Sequence, residues 1–323
     1  MSARVAVIGT GIMGRRMLAD MTQHPEFEPV WAWDLNPAVR EATTVEYPEL
    51  EWVEDIFAVP ADLFYIATPP ATHVPLARSA SRPVLCEKPL AVNMGEAREL
   101  VDEIQVPNAV NFPFATQPSI TALEREVKEG RQGETRRIEI RLFFNTWPRT
   151  WQQGAESWLA QPEQGGFLRE VFSHFAYLTD RLLGPIELID AAVERGPAGT
   201  EEAVRAKLRA GGVPVLLTGD VGGCAPDHNE WTLYGSRASF RIQDWHALEV
   251  GDDKGWRDLQ PDTPPADGSV KQLDAVSQML HGRPNPLPTF ADALRVQELV
   301  EAIIASDGPN HTDASPRDHP DDA

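Results

Sequence analysis

Three groups of residues in this chain have the types and spacing to do chemistry. The first is Gly9-Thr10-Gly11-Ile12-Met13-Gly14 followed by Asp34. Gly9 permits a tight turn, Gly11 lets a pyrophosphate approach the backbone, and Gly14 allows close helix–strand packing. The helix N-terminus then offers free N–H groups to phosphates. Asp34 lies about 20 residues past the last glycine, where an acid accepts from ribose hydroxyls and repels a 2′-phosphate. No arginine follows it directly, so NAD is expected over NADP. A ligand-free glycine turn would show the same three glycines; the flanking strand and the acid argue against it. The second group is Glu87-Lys88-Pro89. A lysine in a closed site is lowered from ~10.4 by desolvation and can exchange a proton near neutrality. On the residues alone a solvated surface lysine is the commoner reading. The third is Glu170 and His174, which at i and i+4 would share one helix face and point together into a cleft. A core histidine bonded within a helix is an equal alternative.

The elements that would position these groups alternate in the first part of the chain. Strands are expected at Arg4–Ile8, Trp31–Asp34, Asp62–Thr68, Pro83–Cys86 and Ala109–Phe112. Helices are expected at Arg15–Thr22, from Ala38, from Ala71 and at Gly95–Ile104. Alternation of this kind makes a parallel sheet over residues 1–116, with ligands beyond the carboxyl ends of its strands. After a crossing helix at Ile120–Glu129, strand candidates follow at Arg136–Phe144, Ile186–Glu194, Ala203–Ala210, Val213–Gly219, Glu230–Gly235, Ser239–Gln243 and Ala247–Gly251. Their spacing and glycine turns indicate an antiparallel sheet. Asp292–Ala305 reads as a last helix with Leu294, Leu299, Ile303 and Ile304 on one face. The expected units are 1–116, 117–306 and a proline- and aspartate-rich tail, 307–323, expected to be disordered.

Composition narrows the function classes. The 323 residues are 42% hydrophobic and carry a formal net charge of −20, which argues against nucleic acid. No apolar run approaches a membrane span. The start of the chain lacks the regions of a signal peptide, and two cysteines, Cys86 and Cys224, make no disulfide framework. A cytoplasmic protein is expected. Only five of the 29 basic residues are lysines, which gives Lys88 added weight. Cys86 has no base partner, and Ser173 lacks the glycines of a nucleophile elbow. The remaining histidines show no paired ligand spacing, so no metal site is expected.

Taken together, Gly9–Gly14, Thr68-Pro69-Pro70-Ala71-Thr72-His73, Glu87-Lys88-Pro89, Gly165-Gly166 leading to Glu170 and His174, and the helix from Phe290 to Ser306 resemble the Gfo/Idh/MocA family. The resemblance implies a Rossmann domain followed by an α+β domain with a large, open, mostly antiparallel sheet. It implies an NAD(P)-dependent oxidoreductase that moves a hydride between nicotinamide and a secondary alcohol or carbonyl of a sugar or polyol. Lys88 is then the acid/base, and His174 polarises or protonates the reacting oxygen. Thr68, Pro69, His73 and Glu87 join the cofactor side. Glu170 stands where relatives usually carry an aspartate that holds substrate hydroxyls, and Tyr177 stands where they often carry another aspartate. Trp147, Arg149, Trp151 and Trp158 crowd the preceding loop; Trp151 could stack on a sugar ring and Arg149 hold a carboxylate or hydroxyls. A homodimer or homotetramer through the open sheet face is implied. NAD-dependent glycosidase-type cleavage, and reduction of a cyclic imine or ketone, are the alternatives.

Overall fold

The computed structural model describes residues 2–260 and 268–306; the expected tail lies outside them. Six strands form a parallel sheet in the order β3-β2-β1-β4-β5-β6. They are β1 (Ala3–Ile8), β2 (Phe27–Trp33), β3 (Glu51–Trp52), β4 (Leu63–Ile66), β5 (Val84–Glu87) and β6 (Asn108–Asn111). Helices α1 (Ile12–Gln23), α2 (Pro37–Glu46), α3 (His73–Ser79) and α4 (Met94–Glu103) make the crossovers. The order reverses between β1 and β4, and a crevice opens there beyond the strand ends. The sheet is buried on both faces, so its strands read as continuous apolar runs such as Val5-Ala6-Val7-Ile8.

Helix α5 (Pro118–Lys128) crosses to the second sheet. That sheet holds β7 (Thr135–Phe144), β8 (Ile186–Arg195), β9 (Glu201–Ala210), β10 (Val213–Val221), β11 (His228–Gly235), β12 (Ser239–Gln243), β13 (Ala247–Asp252) and β14 (Gly255–Asp258). Their order is β14-β13-β12-β11-β7-β10-β9-β8. The sheet is antiparallel except that β10 runs parallel to β7. Alternation along β7 buries Ile138, Ile140, Leu142 and Phe144. Between β7 and β8 come the short α6 (Glu156–Leu159), a π-helical turn at Leu168–Phe172 and α7 (Ser173–Leu183).

Two C-terminal helices, α8 (Gly268–Leu280) and α9 (Phe290–Ile304), return to the first sheet. The Val110 amide donates to the Pro288 carbonyl at 2.9 Å, and the Phe290 amide to Asn108 Oδ1 at 2.8 Å. Thr289 and Asp292 form a reciprocal cap at the start of α9. The strand and helix expectations hold with shifts of a few residues at their ends. Missed were β3, β14, α6 and α8, of which only α8 bears on the site.

Candidate active site

The glycine turn distributes its three glycines between fold and ligand. Gly9 has φ +90°, and a Cβ there would lie 2.8 Å from the Ala67 backbone. A Cβ on Gly14 would come within 2.1 Å of the Gly9 carbonyl oxygen. A Cβ on Gly11 would meet nothing within 4 Å. The Gly11 backbone therefore faces open space at the start of α1, where no side chain caps the helix and no acid sits in the first turn. Asp34, just past β2, accepts from the Thr10 amide at 2.8 Å and from the Asn36 amide at 2.8 Å. Its carboxylate is thus fixed beside the same turn. An open Gly11, free helical N–H groups and an anchored acid fit a dinucleotide. Thr10, Ile12 and Met13 would line it.

Lys88 sits directly after β5, and the side chains around it are fastened down. Tyr65 Oη and Asn111 Nδ2 each donate to Glu87 Oε1 at 2.6 Å. Gln272 Nε2 donates to Asn111 Oδ1 at 2.8 Å, and Thr116 Oγ1 to Gln272 Oε1 at 2.6 Å. This buried chain joins β4, β5 and β6 to α8. Burial pushes the Glu87 carboxyl up and the Tyr65 phenol well up. On the other side of the turn, His73 Nδ1 is 2.8 Å from the Pro89 carbonyl oxygen and Nε2 is 2.7 Å from that of Thr68. Burial, followed by the Lys88 charge, pulls its pKa down against the pull of the two carbonyls. A neutral imidazole carries one N–H, so it donates to one of the two at a time. Glu87 and His73 therefore hold the Lys88 turn by both ends. The Thr72 hydroxyl lies 2.7 Å from Thr68 Oγ1 and 2.8 Å from the Pro69 carbonyl oxygen and donates its one proton to one of them at a time.

The ammonium of Lys88 lies 2.7 Å from Glu170 Oε2 and 3.3 Å from the Glu170 carbonyl oxygen. Glu170 is not on a regular α-helix; it sits in the π-helical turn before α7. A π turn winds wider than 3.6 residues, and positions i and i+4 such as Glu170 and His174 still lie on nearly the same side of it. The turn is anchored from two sides. Gly166, at φ +94°, leaves room for the Glu201 carboxylate, which accepts from the Leu168 amide at 2.7 Å. Arg169 makes a two-pronged pair with Glu301 of α9, both contacts at 2.7 Å, and donates to the Pro162 and Gly165 carbonyls.

His174 is buried in a ring of aromatics, 5.5 Å from Phe112, 5.8 Å from Phe114 and 5.2 Å from Trp245 between centroids. Trp245 reaches it from the β12–β13 turn, where Asp244 and Trp245 have φ of +44° and +77°. Backbone in that region is strained for residues other than glycine. Burial, then the charges of Lys88 and Arg149, depress the His174 pKa well below the usual 6.5. Among the described residues, Glu170 Oε1, His174 Nδ1 and Trp147 Nε1 are buried without a hydrogen-bond partner. Such atoms are rare in folded proteins, and Glu170 Oε1 and His174 Nδ1 are both free to take a further hydrogen bond.

Other candidates are placed less directly. Arg149 lies over Phe144, Trp147 and Trp151, and Trp151, exposed, also meets Arg16 of α1 at 5.0 Å. Tyr177 is buried against Phe112, and its hydroxyl is engaged by Arg181 and the Pro286 carbonyl, not by Lys88 or Glu170. A cavity of about 260 Å³ is lined in part by Met13, Tyr65, Asn111, His246 and Gln272. A groove of about 340 Å³ between α9 and β8 contains none of the candidate residues. His24, Glu26 and Asp274 come close enough to share an ion. The ring nitrogens of His24 already face the Glu26 amide and the Asp274 carboxylate. Sequence reasoning missed Tyr65, Asn111, Trp245 and Gln272, none of which stands in a motif.

Residues 3–111 match the model of an oxidoreductase family with an NAD-binding Rossmann fold, GFO_IDH_MocA, and residues 120–241 match the GFO/IDH/MocA C-terminal domain. The chain belongs to the Gfo/Idh/MocA family. A protein of Amycolatopsis mediterranei assigned as a UDP-kanosamine synthase oxidoreductase subunit is 30% identical over 196 residues, 57% of this chain and 53% of that protein. The chain thus matches about half the length of this curated relative. An oxidoreductase from Agrobacterium radiobacter, solved with NAD+, L-tartaric acid and magnesium, superposes with a TM-score of 0.80 at 18% identity. The match covers 94% of this chain and 95% of that one. A 3-ketoreductase from Actinomadura kijaniata, solved with NADP and TDP-benzene, gives 0.79 at 20% identity over 95% and 98% of the two chains. This family fold binds NAD or NADP among its members. Among the described residues no helix is long and apolar enough to cross a membrane.

Proposed function

We propose that this oxidoreductase transfers a hydride between NAD and a secondary alcohol or carbonyl of a sugar, polyol or related small molecule, with Lys88 as acid/base. The observation that carries the reading is the Lys88 ammonium, 13% exposed, held 2.7 Å from Glu170 Oε2 at the strand ends that face the glycine turn. The nicotinamide nucleotide, when bound, supplies or accepts the hydride. Gly11, the first turn of α1 and Asp34 would hold it. In the reductive direction Lys88 gives its proton to the carbonyl oxygen as charge develops there; in the oxidative direction its neutral amine takes the hydroxyl proton. Glu170 orients the amine through Oε2 and offers Oε1 to a neighbouring substrate hydroxyl. His174 is neutral at neutral pH and serves as a hydrogen-bond partner to the reacting oxygen, while Lys88 carries the proton. The fixed Asp34 carboxylate favours NAD over NADP. The open face of the second sheet, with Leu216 exposed on β10, is the proposed contact of a homodimer or homotetramer.

The test is a screen of sugars, polyols and cyclic imines with NAD and NADP, following the absorbance of the reduced cofactor, with Lys88→Ala beside the unaltered protein. Turnover should fall by roughly 10²- to 10⁴-fold, while the Kd for NAD stays within about threefold, because the loss falls on proton transfer. Near-normal turnover by Lys88→Ala would remove Lys88 from the mechanism.

A further inference from the structure

Trp245 stands where the backbone asks for a glycine. The turn between β12 and β13 closes with the His246 amide donating to the Gln243 carbonyl at 3.1 Å. Both residues inside it have positive φ, +44° at Asp244 and +77° at Trp245. Turns of that kind are filled by glycine, asparagine and aspartate, and a bulky side chain there is an outlier. Asp244 suits its place; Trp245 does not. The conformation is fastened from outside. The Asp244 amide donates to the Asn229 carbonyl at 2.8 Å, Asp244 Oδ1 accepts from the Asn229 amide at 3.1 Å, and Gln117 Nε2 donates to the Trp245 carbonyl. Backbone strain held in place this firmly collects where function needs it.

What the turn delivers is a ring against His174. The indole meets the imidazole edge to face at 5.2 Å between centroids and 87° between planes, and it stacks on Phe175 at 5.7 Å. Phe112 and Phe114, both buried in the segment after β6, close other sides of the imidazole at 5.5 and 5.8 Å. Among the described residues neither ring nitrogen of His174 makes a hydrogen bond. A working imidazole is ordinarily aimed by a hydrogen bond at its second nitrogen; this one is aimed by packing. Two contacts place it beside Lys88. Glu170, whose carboxylate holds the ammonium at 2.7 Å, lies one turn earlier on nearly the same side. Phe112 directly follows Asn111, which donates to Glu87 at 2.6 Å. The rings around the imidazole carry no charge. Lys88 and Arg149 act on it as cations, and the Asp244 carboxylate is turned to the Asn229 amide and to His228.

We infer that Trp245 is a positioning residue: its indole fixes the direction in which the nitrogens of His174 point, and the strained turn is kept to supply that wall. This rests on the hydride-transfer reading for what His174 then does, but the positioning can be read without turnover. The full chain, saturated with NAD and carrying isotopically labelled histidine, is followed by NMR from about pH 5 to pH 8. The parent is compared with Trp245→Phe and Trp245→Gly, and His174→Phe identifies the His174 signals. Glycine suits the turn, so it removes the ring without burdening the backbone. In the parent the His174 nitrogens should stay those of a neutral ring throughout. In Trp245→Gly, where water reaches the imidazole, they should titrate within the range, and Trp245→Phe should stay close to the parent. In parallel, kcat should fall roughly 10- to 100-fold in Trp245→Gly, with KM little changed. In a His174→Phe background the same change should cost less than about twofold, because the route through the imidazole is gone. Circular dichroism melting establishes that each variant is folded; Trp245→Leu, which keeps apolar bulk without the ring, takes the place of Trp245→Gly if that protein is not. His174 signals that are alike in the parent and Trp245→Gly overturn the inference, as does an equal loss of kcat in both backgrounds. His174 signals that depend on Trp245 in a parent that oxidises or reduces nothing would leave the inference standing and sink the hydride-transfer reading instead.

Discussion

The sharpest test of the nucleotide site is to put the same methyl group on Gly14 and on Gly11. At Gly14 the new carbon would lie 2.1 Å from the Gly9 carbonyl oxygen, where ordinary contact begins near 3.4 Å. The obstacle is backbone, which cannot swing aside, so the cost belongs at the upper end of overpacking, ~3 kcal/mol. At roughly 2–4 °C per kcal/mol for a domain of this size, Gly14→Ala should melt about 6–12 °C lower. At Gly11 the methyl meets nothing within 4 Å, and φ is −66°. Alanine is a poorer helix cap than glycine, so ~1 kcal/mol and a few degrees bound the expected loss. The methyl does occupy the space through which a phosphate would approach the first helical N–H groups. Losing one charge-assisted hydrogen bond there, ~1.5–3 kcal/mol, weakens the cofactor roughly 10- to 100-fold. Differential scanning fluorimetry and a fluorescence titration with NAD report the two effects separately. A Gly11→Ala protein that melts normally and binds NAD like the parent would refute the placement of the pyrophosphate.

Other consequences follow from the same contacts. Glu170→Gln removes the anion beside Lys88 and keeps the shape of the side chain, so kcat should drop at least tenfold; an unchanged kcat would deny Glu170 any part in setting Lys88. Glu301→Gln leaves the Arg169 guanidinium, 5% exposed, without its carboxylate. That break should cost ~3–5 kcal/mol and loosen the turn that carries Glu170, and thermal melting reads it. His174 has a folded pKa well below the 6.5 of the free group, and His73 is lowered too. Between the folded and unfolded values the unfolded chain binds more protons, so stability is full above about pH 6.5 and falls as the pH drops through that window. A His174→Phe protein should lose less stability than the parent between pH 7 and pH 5 in urea titrations; equal losses would count against a buried neutral imidazole.

Much of the site is local chemistry and therefore legible along the chain. Gly9 and Gly14 announce a turn that only glycine allows, and Asp34 stands at its fixed distance because one crossover helix and one strand span that length. The parallel sheet is legible for a similar reason, since strands buried on both faces must be apolar throughout. Glu170 is legible only in part. The i and i+4 spacing relates it to His174, but nothing local announces that its carboxylate meets Lys88, 82 positions away in the chain.

What the residues settle by themselves is what each can do within a few positions of its own backbone: turn, cap, alternate, carry a charge. Which charges meet was decided only by the fold. Gln272 stands in no motif, on a helix that was missed, and becomes significant because α8 returns to the first sheet and sets it against Asn111. Trp245 matters because a strained turn at the far side of the second sheet delivers it to His174. Local backbone preferences act over a few residues, but burial and charge matching act through space, and no spacing along the chain encodes them.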